Sequence, residues 1–457
     1  MQHWTRSSVF YHIYPLGFCG ASPKNDFSSQ PVPALKKIYT WINHILDMQI
    51  NAIYLGPVFE STAHGYDTAD YFKVDRRLGD NYTLKELTGF LHTNGIKVIL
   101  DGVFNHVGRD FWAFKDVLNY GEASAYRNWF SNIDFSKKSP YNDPFSYEGW
   151  NNHYDLVKLN LDNADTRNHL LAAVEMWINE FDIDGLRLDA ADCVSIDFLS
   201  ELSRFTKKMK PDFWLMGEVI HGDYRNWVNT DTLDSATNYE CYKGLYSSHN
   251  DVNYFEIAYS LKRQFGADGI YKDLLLYNFV DNHDVSRIMN TLKNEAYIYP
   301  LLILLFTMPG IPSIYYGSEF GIEGMKQEKS DELLRPELDL TKCKNEGNMD
   351  ILRVTKILSG IRQNIHTLGY GSYEQVYVNH EQFVFMRRCQ NEICIVAVNS
   401  SMEKVSLTLN TELPNGIEFI DILNNNEKTF VTGNSLDVDV YPAWGKVLLS
   451  SNYSMFK

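Results

Sequence analysis

Up to about residue 365, the chain alternates two kinds of segment. Short apolar runs rich in Val, Ile, Leu and aromatic residues fall at residues 9–14, 52–55, 97–103, 184–189, 213–219, 234–239, 274–281 and 313–316. Segments of helical period fall between them, among them 34–48, 84–93, 167–180 and 198–210. Near-continuous apolar runs suit strands buried on both faces, and their alternation with helices is the pattern of a parallel sheet. Eight such strands predict a closed α/β barrel, the (β/α)8 TIM barrel.

Two stretches break that rhythm. Residues 105–164, after the third strand, are aromatic and polar with little periodicity. The stretch is too long for an ordinary loop and too aromatic for disorder, so a small inserted lobe is expected. From about residue 368 the pattern becomes QVYV, QFVFMRR, ICIVAV, VSLTL, DVDVY and GKVLL, separated by Asn and Gly turns. Such short alternating runs predict a C-terminal antiparallel β-sandwich. The expected organisation is a catalytic barrel at 1–104 and 165–365, the lobe at 105–164 and the sandwich at 366–457.

Three of the strand runs end in acids with specific company. Asp189 closes DIDGLRLDAAD, Glu218 closes FWLMGEV, and Asp284 closes LLLYNFVDNHD. Acids commonly follow strands as helix caps, which explains any one of them but not all three. A closed barrel delivers strand ends to one rim, and retaining glycoside cleavage needs a nucleophilic carboxylate and a carboxylic acid facing one bond. Residues i and i+2 share a strand face, so Arg187 and Asp189 point together while Leu186 and Leu188 face the outer helices. A guanidinium beside Asp189 favours its charged form, so a lowered pKa is expected there.

With these motifs in hand, the chain resembles the α-amylase family of retaining α-glucoside hydrolases. DGVFNHVG (101–108), GLRLDAAD (185–192), MGEV (216–219) and FVDNHD (279–284) match its ordered motifs. HGYDTADYF (64–72) and GIPSIYYGSEFG (310–321) agree as well. By position, the resemblance implies Asp189 as nucleophile, Glu218 as general acid/base and Asp284 as transition-state stabiliser. It implies that Tyr66, His106, Arg187 and His283 line the subsite of the glucose under attack. Asp331 and Arg335 resemble the pair that contacts the outer end of the substrate in the maltodextrin-degrading branch. Trp150 and Tyr154 close the lobe, as packing or as substrate contacts.

LVKLN (156–160), GEVIHGDYRNW and DSATNY (234–239) resemble the neopullulanase and cyclomaltodextrinase-like branch. Two departures stand against that assignment: Ile220 occupies a position where the branch has tryptophan, and barrel sequence begins by residue 9, where a dimerising N-terminal sandwich would precede it. A monomer or weak homo-oligomer is expected. Asn105 matches the family's calcium-binding asparagine, but Ala191, Asp192 and Cys193 replace the usual Lys-His. No cofactor or metal is expected to be required, with calcium at Asn105 as the open alternative.

Composition narrows the partners. The net charge of −16 lacks the basic stripe that nucleic acid would require. Aromatic residues make up 14% of the chain and supply stacking surfaces for sugar rings. Six cysteines lie far apart without metal-type spacing, so reduced thiols are expected. The N-terminus lacks a signal-peptide pattern, and the apolar stretch 296–308 is too short to span a bilayer. A cytoplasmic enzyme with no membrane partner is therefore expected, the alternative being a secreted one whose leader has been removed. The reading is a retaining α-amylase-type hydrolase, endo-acting on α-1,4 bonds in maltodextrins and soluble starch. Its alternatives are a cyclomaltodextrinase or neopullulanase, an α-glucan transglycosylase and, outside enzymes, a non-catalytic glucan-binding protein.

Overall fold

A computed structural model describes residues 4–328 and 330–450 of the chain. The outermost residues of the expected barrel and sandwich lie outside the described residues. The barrel strands are β1 (Phe10–Ile13), β2 (Ala52–Leu55), β3 (Lys97–Gly102), β4 (Gly185–Leu188), β5 (Trp214–Gly217), β6 (Ser235–Ala236), β7 (Tyr277–Asn278) and β8 (Ile311–Tyr315). Their order in the sheet is β6-β5-β4-β3-β2-β1-β8-β7, and every neighbouring pair is parallel. A parallel bridge from Thr237 to Tyr277, with the Asn238 N–H donating to the Tyr277 carbonyl at 2.8 Å, joins the two edges and closes the barrel.

Strand alternation fills the inside. Phe10, Ala52, Tyr54, Ile99, Trp214, Met216, Tyr277 and Ile311 form one buried cluster, with the Phe10 ring 5.1 Å from Trp214 and 5.5 Å from Tyr277. Leu186 and Leu188 join the separate main core instead, packed outward as the i, i+2 rule requires. The plugged floor leaves inward-facing polar residues a place at the C-terminal rim, where barrel strands present their chemistry.

Outer helices include α1 (Lys37–Asp47), α2 (Asn81–Thr93), α3 (Ala164–Phe181) and α4 (Ile196–Met209), and the β5–β6 connection carries the short 3-10 turn Tyr224–Asn226. Side-chain caps set the starts of α2 and α3: Asp80 accepts from the Thr83 N–H, and Asn163 from those of Asp165 and Thr166. The apolar stretch near residue 300 is a buried helix, Ile298–Thr307. No helix among the described residues is long and apolar enough to cross a membrane.

After β3 the chain forms a three-stranded antiparallel sheet from His106–Gly108, Gly149–Trp150 and His153–Lys158, with the helix Trp112–Tyr120 beside it. The C-terminal part pairs a six-stranded antiparallel sheet with the two-stranded one made by Val405–Asn410 and Ser435–Val440. Val384, Met386 and Ile395 of the first meet Leu407, Leu409 and Val438 of the second in their own core. The strands at Glu418–Asp421 and Glu427–Phe430 belong to this sheet although the apolar pattern did not announce them. All six cysteines are unpaired thiols.

Candidate active site

The rim of the barrel gathers the expected residues around one guanidinium. Arg187 is 3% exposed, so its charge must be answered by neighbours. Its Nη1 donates to Asp189 Oδ1 at 2.9 Å and to Asp101 Oδ1 at 3.0 Å, while Nη2 lies 2.9 Å from Glu218 Oε1. Three carboxylates therefore share a single cation. Burial pushes the Asp189 carboxyl well above the usual carboxylate range; Arg187 pulls the other way, and Glu218 and Asp101 add to the rise. The expectation from spacing was a lowered Asp189. Arg187 does pull downward, but desolvation and two further acids outweigh one guanidinium.

Asp284 lies in the opposite electrostatic setting. Its Oδ1 accepts from Arg335 Nη2 at 2.9 Å, and its Oδ2 lies 2.9 Å from His283 Nε2. Burial opposes ionisation, yet His283, Arg335 and Arg187 hold its carboxyl well below the usual range. Arg335 Nη2 also donates to Asp331 Oδ2 at 2.9 Å and its Nε to the His283 carbonyl at 3.0 Å, so Asp331 and Arg335 join the rim through Asp284.

Rings complete the pocket. Tyr66 stacks on His283 with centroids 5.3 Å apart, and its hydroxyl donates to Asp101 Oδ2 at 3.0 Å. His106 is buried with Nε2 3.7 Å from Asp189 Oδ2 and no hydrogen-bond partner on that nitrogen. Burial, with His64 nearby, pushes its pKa down to about 3, which keeps the ring neutral and able to donate or accept. Asn105 Nδ2 lies 3.2 Å from His106 Nδ1, and the Asn105 carbonyl accepts from the Leu159 N–H at 3.0 Å. Among the described residues, no group of three or more His, Cys, Asp or Glu is placed to hold a metal ion.

The backbone between the acids is tightly specified. Ala190 takes φ +44°, a left-handed conformation that is costly for a residue with a Cβ. That turn aims its N–H at Glu218 Oε2, 3.1 Å away, while the Ala191 N–H donates to the Glu218 carbonyl at 3.0 Å. A Cβ on Gly217 would lie 2.8 Å from that of Ala191, so glycine is what lets the two loops close together.

Comparison with known proteins adds the family. The α-amylase catalytic-domain model matches residues 12–353, and the α-amylase C-terminal all-β domain model matches residues 377–447. The chain belongs to the α-amylase family. A cyclomaltodextrinase from Bacillus sp is 31% identical over 420 residues, covering 87% of this chain and 73% of that protein. Neopullulanase 2 from Thermoactinomyces vulgaris is 30% identical over 474 residues, covering 97% and 78%. A solved cyclomaltodextrinase superposes with a TM-score of 0.87 at 26% identity, over 98% of this chain and 79% of that one. This α-amylase family member is thus an α-glucan hydrolase, and its relatives sit with the branch that the finer motifs resembled.

Several rim residues escaped the sequence reading. Asp101 ties together Arg187, Tyr54 and Tyr66, the last two through their hydroxyls at 2.7 and 3.0 Å. Tyr14 stacks on His283 at 5.8 Å with the Arg335 guanidinium 4.7 Å over its ring. Tyr239 reaches Glu218 Oε1 at 3.4 Å and accepts from Asn282 Nδ2 at 3.3 Å. Asp101 and Tyr239 stand inside the motifs already singled out, so position within them was the available signal. Tyr14 follows an unremarkable first strand and carries none.

Proposed function

We propose that this chain is a retaining hydrolase of α-1,4-glucosidic bonds in short maltodextrins and cyclodextrins, of the cyclomaltodextrinase kind. The observation that carries the chemistry is Arg187 bridging Asp189 and Glu218 with its two terminal nitrogens at 2.9 Å each. Retaining enzymes hold their carboxyl groups roughly 5–5.5 Å apart, a spacing that acids sharing one guanidinium are placed to meet. Crowded around one cation, Asp189 and Glu218 hold one proton between them; with that proton on Glu218, Asp189 is the carboxylate that attacks and Glu218 the acid that donates. Glu218 protonates the leaving oxygen as Asp189 attacks the anomeric carbon, and the C–O bond breaks to give a covalent β-glucosyl intermediate. Water then attacks with Glu218 taking its proton, so the product keeps the α configuration. Asp284, held anionic by Arg335 and His283, stabilises positive charge at the anomeric carbon. His106 Nε2, 3.7 Å from Asp189 Oδ2 and without a hydrogen-bond partner, is placed to meet a sugar hydroxyl, while His283 orients Asp284 through its Nε2 at 2.9 Å.

The preference for short and cyclic substrates, rather than general endo-cleavage of starch, is supported by the names of the relatives at 30–32% identity: cyclomaltodextrinase, neopullulanase 2 and intracellular maltogenic amylase. The last of these, from Bacillus subtilis, also supports action inside the cell. Asn105 serves the pocket by holding His106 rather than a metal, and calcium is not required. The test is product analysis with β-cyclodextrin, maltotriose, pullulan and soluble starch, with the anomer followed by proton NMR. The expected result is α-anomeric maltose and glucose, with β-cyclodextrin and maltotriose cleaved faster per bond than starch. β-anomeric products would overturn the mechanism, and inert β-cyclodextrin would overturn the substrate class.

A further inference from the structure

The hairpin at the outer edge of the inserted lobe is built to hold one ring in place. Trp150 and His153 pair across Asn151 and Asn152, whose φ angles are +48° and +65°. Positive φ at both central residues is the signature of a tight two-residue hairpin turn, and asparagine tolerates it. Immediately before the turn the strand register shifts between Gly149 and Trp150, and a bulge of this kind re-aims the side chain that follows it. Gly149 permits the shift, since a Cβ there would lie 2.4 Å from the His153 carbonyl oxygen.

The re-aimed indole lands beside the acids. Its ring centroid is 5.4 Å from His106, whose Nε2 is 3.7 Å from Asp189. The His153 ring lies 6.1 Å from the indole at 28°. Exposure rises along this row: His106 is buried, Trp150 is half-buried and His153 is exposed. The row therefore runs from the nucleophile side of the pocket out to solvent. The indole N–H is buried and meets the Cys193 thiol, from the loop after β4, which helps to fix the ring's orientation.

We propose that Trp150, extended by His153, is a stacking wall on which glucose units beyond the cleavage subsite pack, so that it sets the preference for substrate length. This rests on the α-glucan reading above. The apolar faces of glucose rings suit an indole face, and a platform fixed by a rigid turn binds them at low ordering cost. The units that contact the wall are those a maltose lacks and a maltoheptaose has.

The test uses the full chain carrying Glu218→Gln, which blocks turnover, and measures maltose and maltoheptaose binding by calorimetry. Adding Trp150→Ala is expected to weaken maltoheptaose binding about tenfold, the change that ~1.4 kcal/mol of lost stacking produces. Maltose binding should stay within about twofold, and Trp150→Phe should recover most of the loss. His153→Ala, at an exposed position, is expected to cost about threefold on maltoheptaose and keeps the test open should Trp150→Ala fail to fold. Unchanged maltoheptaose binding in a folded Trp150→Ala or His153→Ala protein would overturn the proposal. So would an equal loss for both sugars, which marks a structural role. Failure of the Trp150-bearing parent to bind any α-glucan would overturn the α-glucan reading itself, and the wall with it.

Discussion

Strand β4 is flanked by an aspartate at each end, and the two live in opposite electrostatic worlds. Asp184, at the N-terminal end, accepts from His92 Nε2 at 2.7 Å, Lys97 Nζ at 2.9 Å and the Val98 N–H at 3.0 Å, with Lys210 Nζ 2.9 Å away. Burial opposes its ionisation, yet these partners hold its carboxyl well below the usual range. Asp189, at the C-terminal end, shares one guanidinium with two other acids, and burial pushes it up. Both residues are nine-tenths buried or more. What separates them is the charge balance around them. Oversupplied with donors, Asp184 is a fastening between β4 and its neighbours. Undersupplied, Asp189 reaches the ionised form that attack requires only at a cost to the stability of the fold.

Substitutions can break this contrast from either side. The largest expected effect is on turnover: Asp189→Asn should remove nearly all hydrolysis of maltotriose, read by steady-state kinetics, with circular dichroism unchanged. Glu218→Gln should lower kcat by about 10²–10⁴, the usual worth of general acid–base help. Asp184→Asn should act on stability instead. Removing one member of a buried charged cluster costs about 3–5 kcal/mol, so its denaturation midpoint should fall clearly while kcat stays within about threefold. The sign with pH follows from the lowered value at Asp184. Its contribution is present above the unfolded carboxylate value of about 3.9 and is lost as pH falls through the lower folded value. The deficit of Asp184→Asn should therefore shrink below about pH 4. The smallest expected effect is that of chelation, which should leave activity and thermal midpoint unchanged; a drop restored specifically by calcium would show that Asn105 serves a metal.

The same contrast explains what the chain reveals before folding. Asp189, Glu218 and Asp284 were legible because strand-end position and short-range company, Arg187 and Asn282–His283 among them, survive in one dimension. Eight strands were legible as apolar runs, but the sixth and seventh are shorter than those runs. Asn238 turns from the strand to cap the helix Tyr239–Asn250, its side chain accepting from the Cys241 N–H. The direction of the Asp189 shift was not legible, because it depends first on burial and then on Glu218 and Asp101 arriving from the ends of β5 and β3. Nor was the aim of Trp150, which a bulge and a two-residue turn determine. Charge balance and ring placement arise from the meeting of distant segments, so periodicity carries no trace of them.

The most direct test compares the thermal midpoints and turnover of Asp189→Asn and Asp184→Asn side by side at neutral pH. Asp189 is raised, so its ionisation costs stability as pH climbs above the unfolded carboxylate value. Asp189→Asn should therefore be inactive with a midpoint equal to or above that of the parent, and Asp184→Asn active with a lower one. A folded Asp189→Asn protein that turns over substrate near the parent rate, or one destabilised as much as Asp184→Asn, would contradict the account.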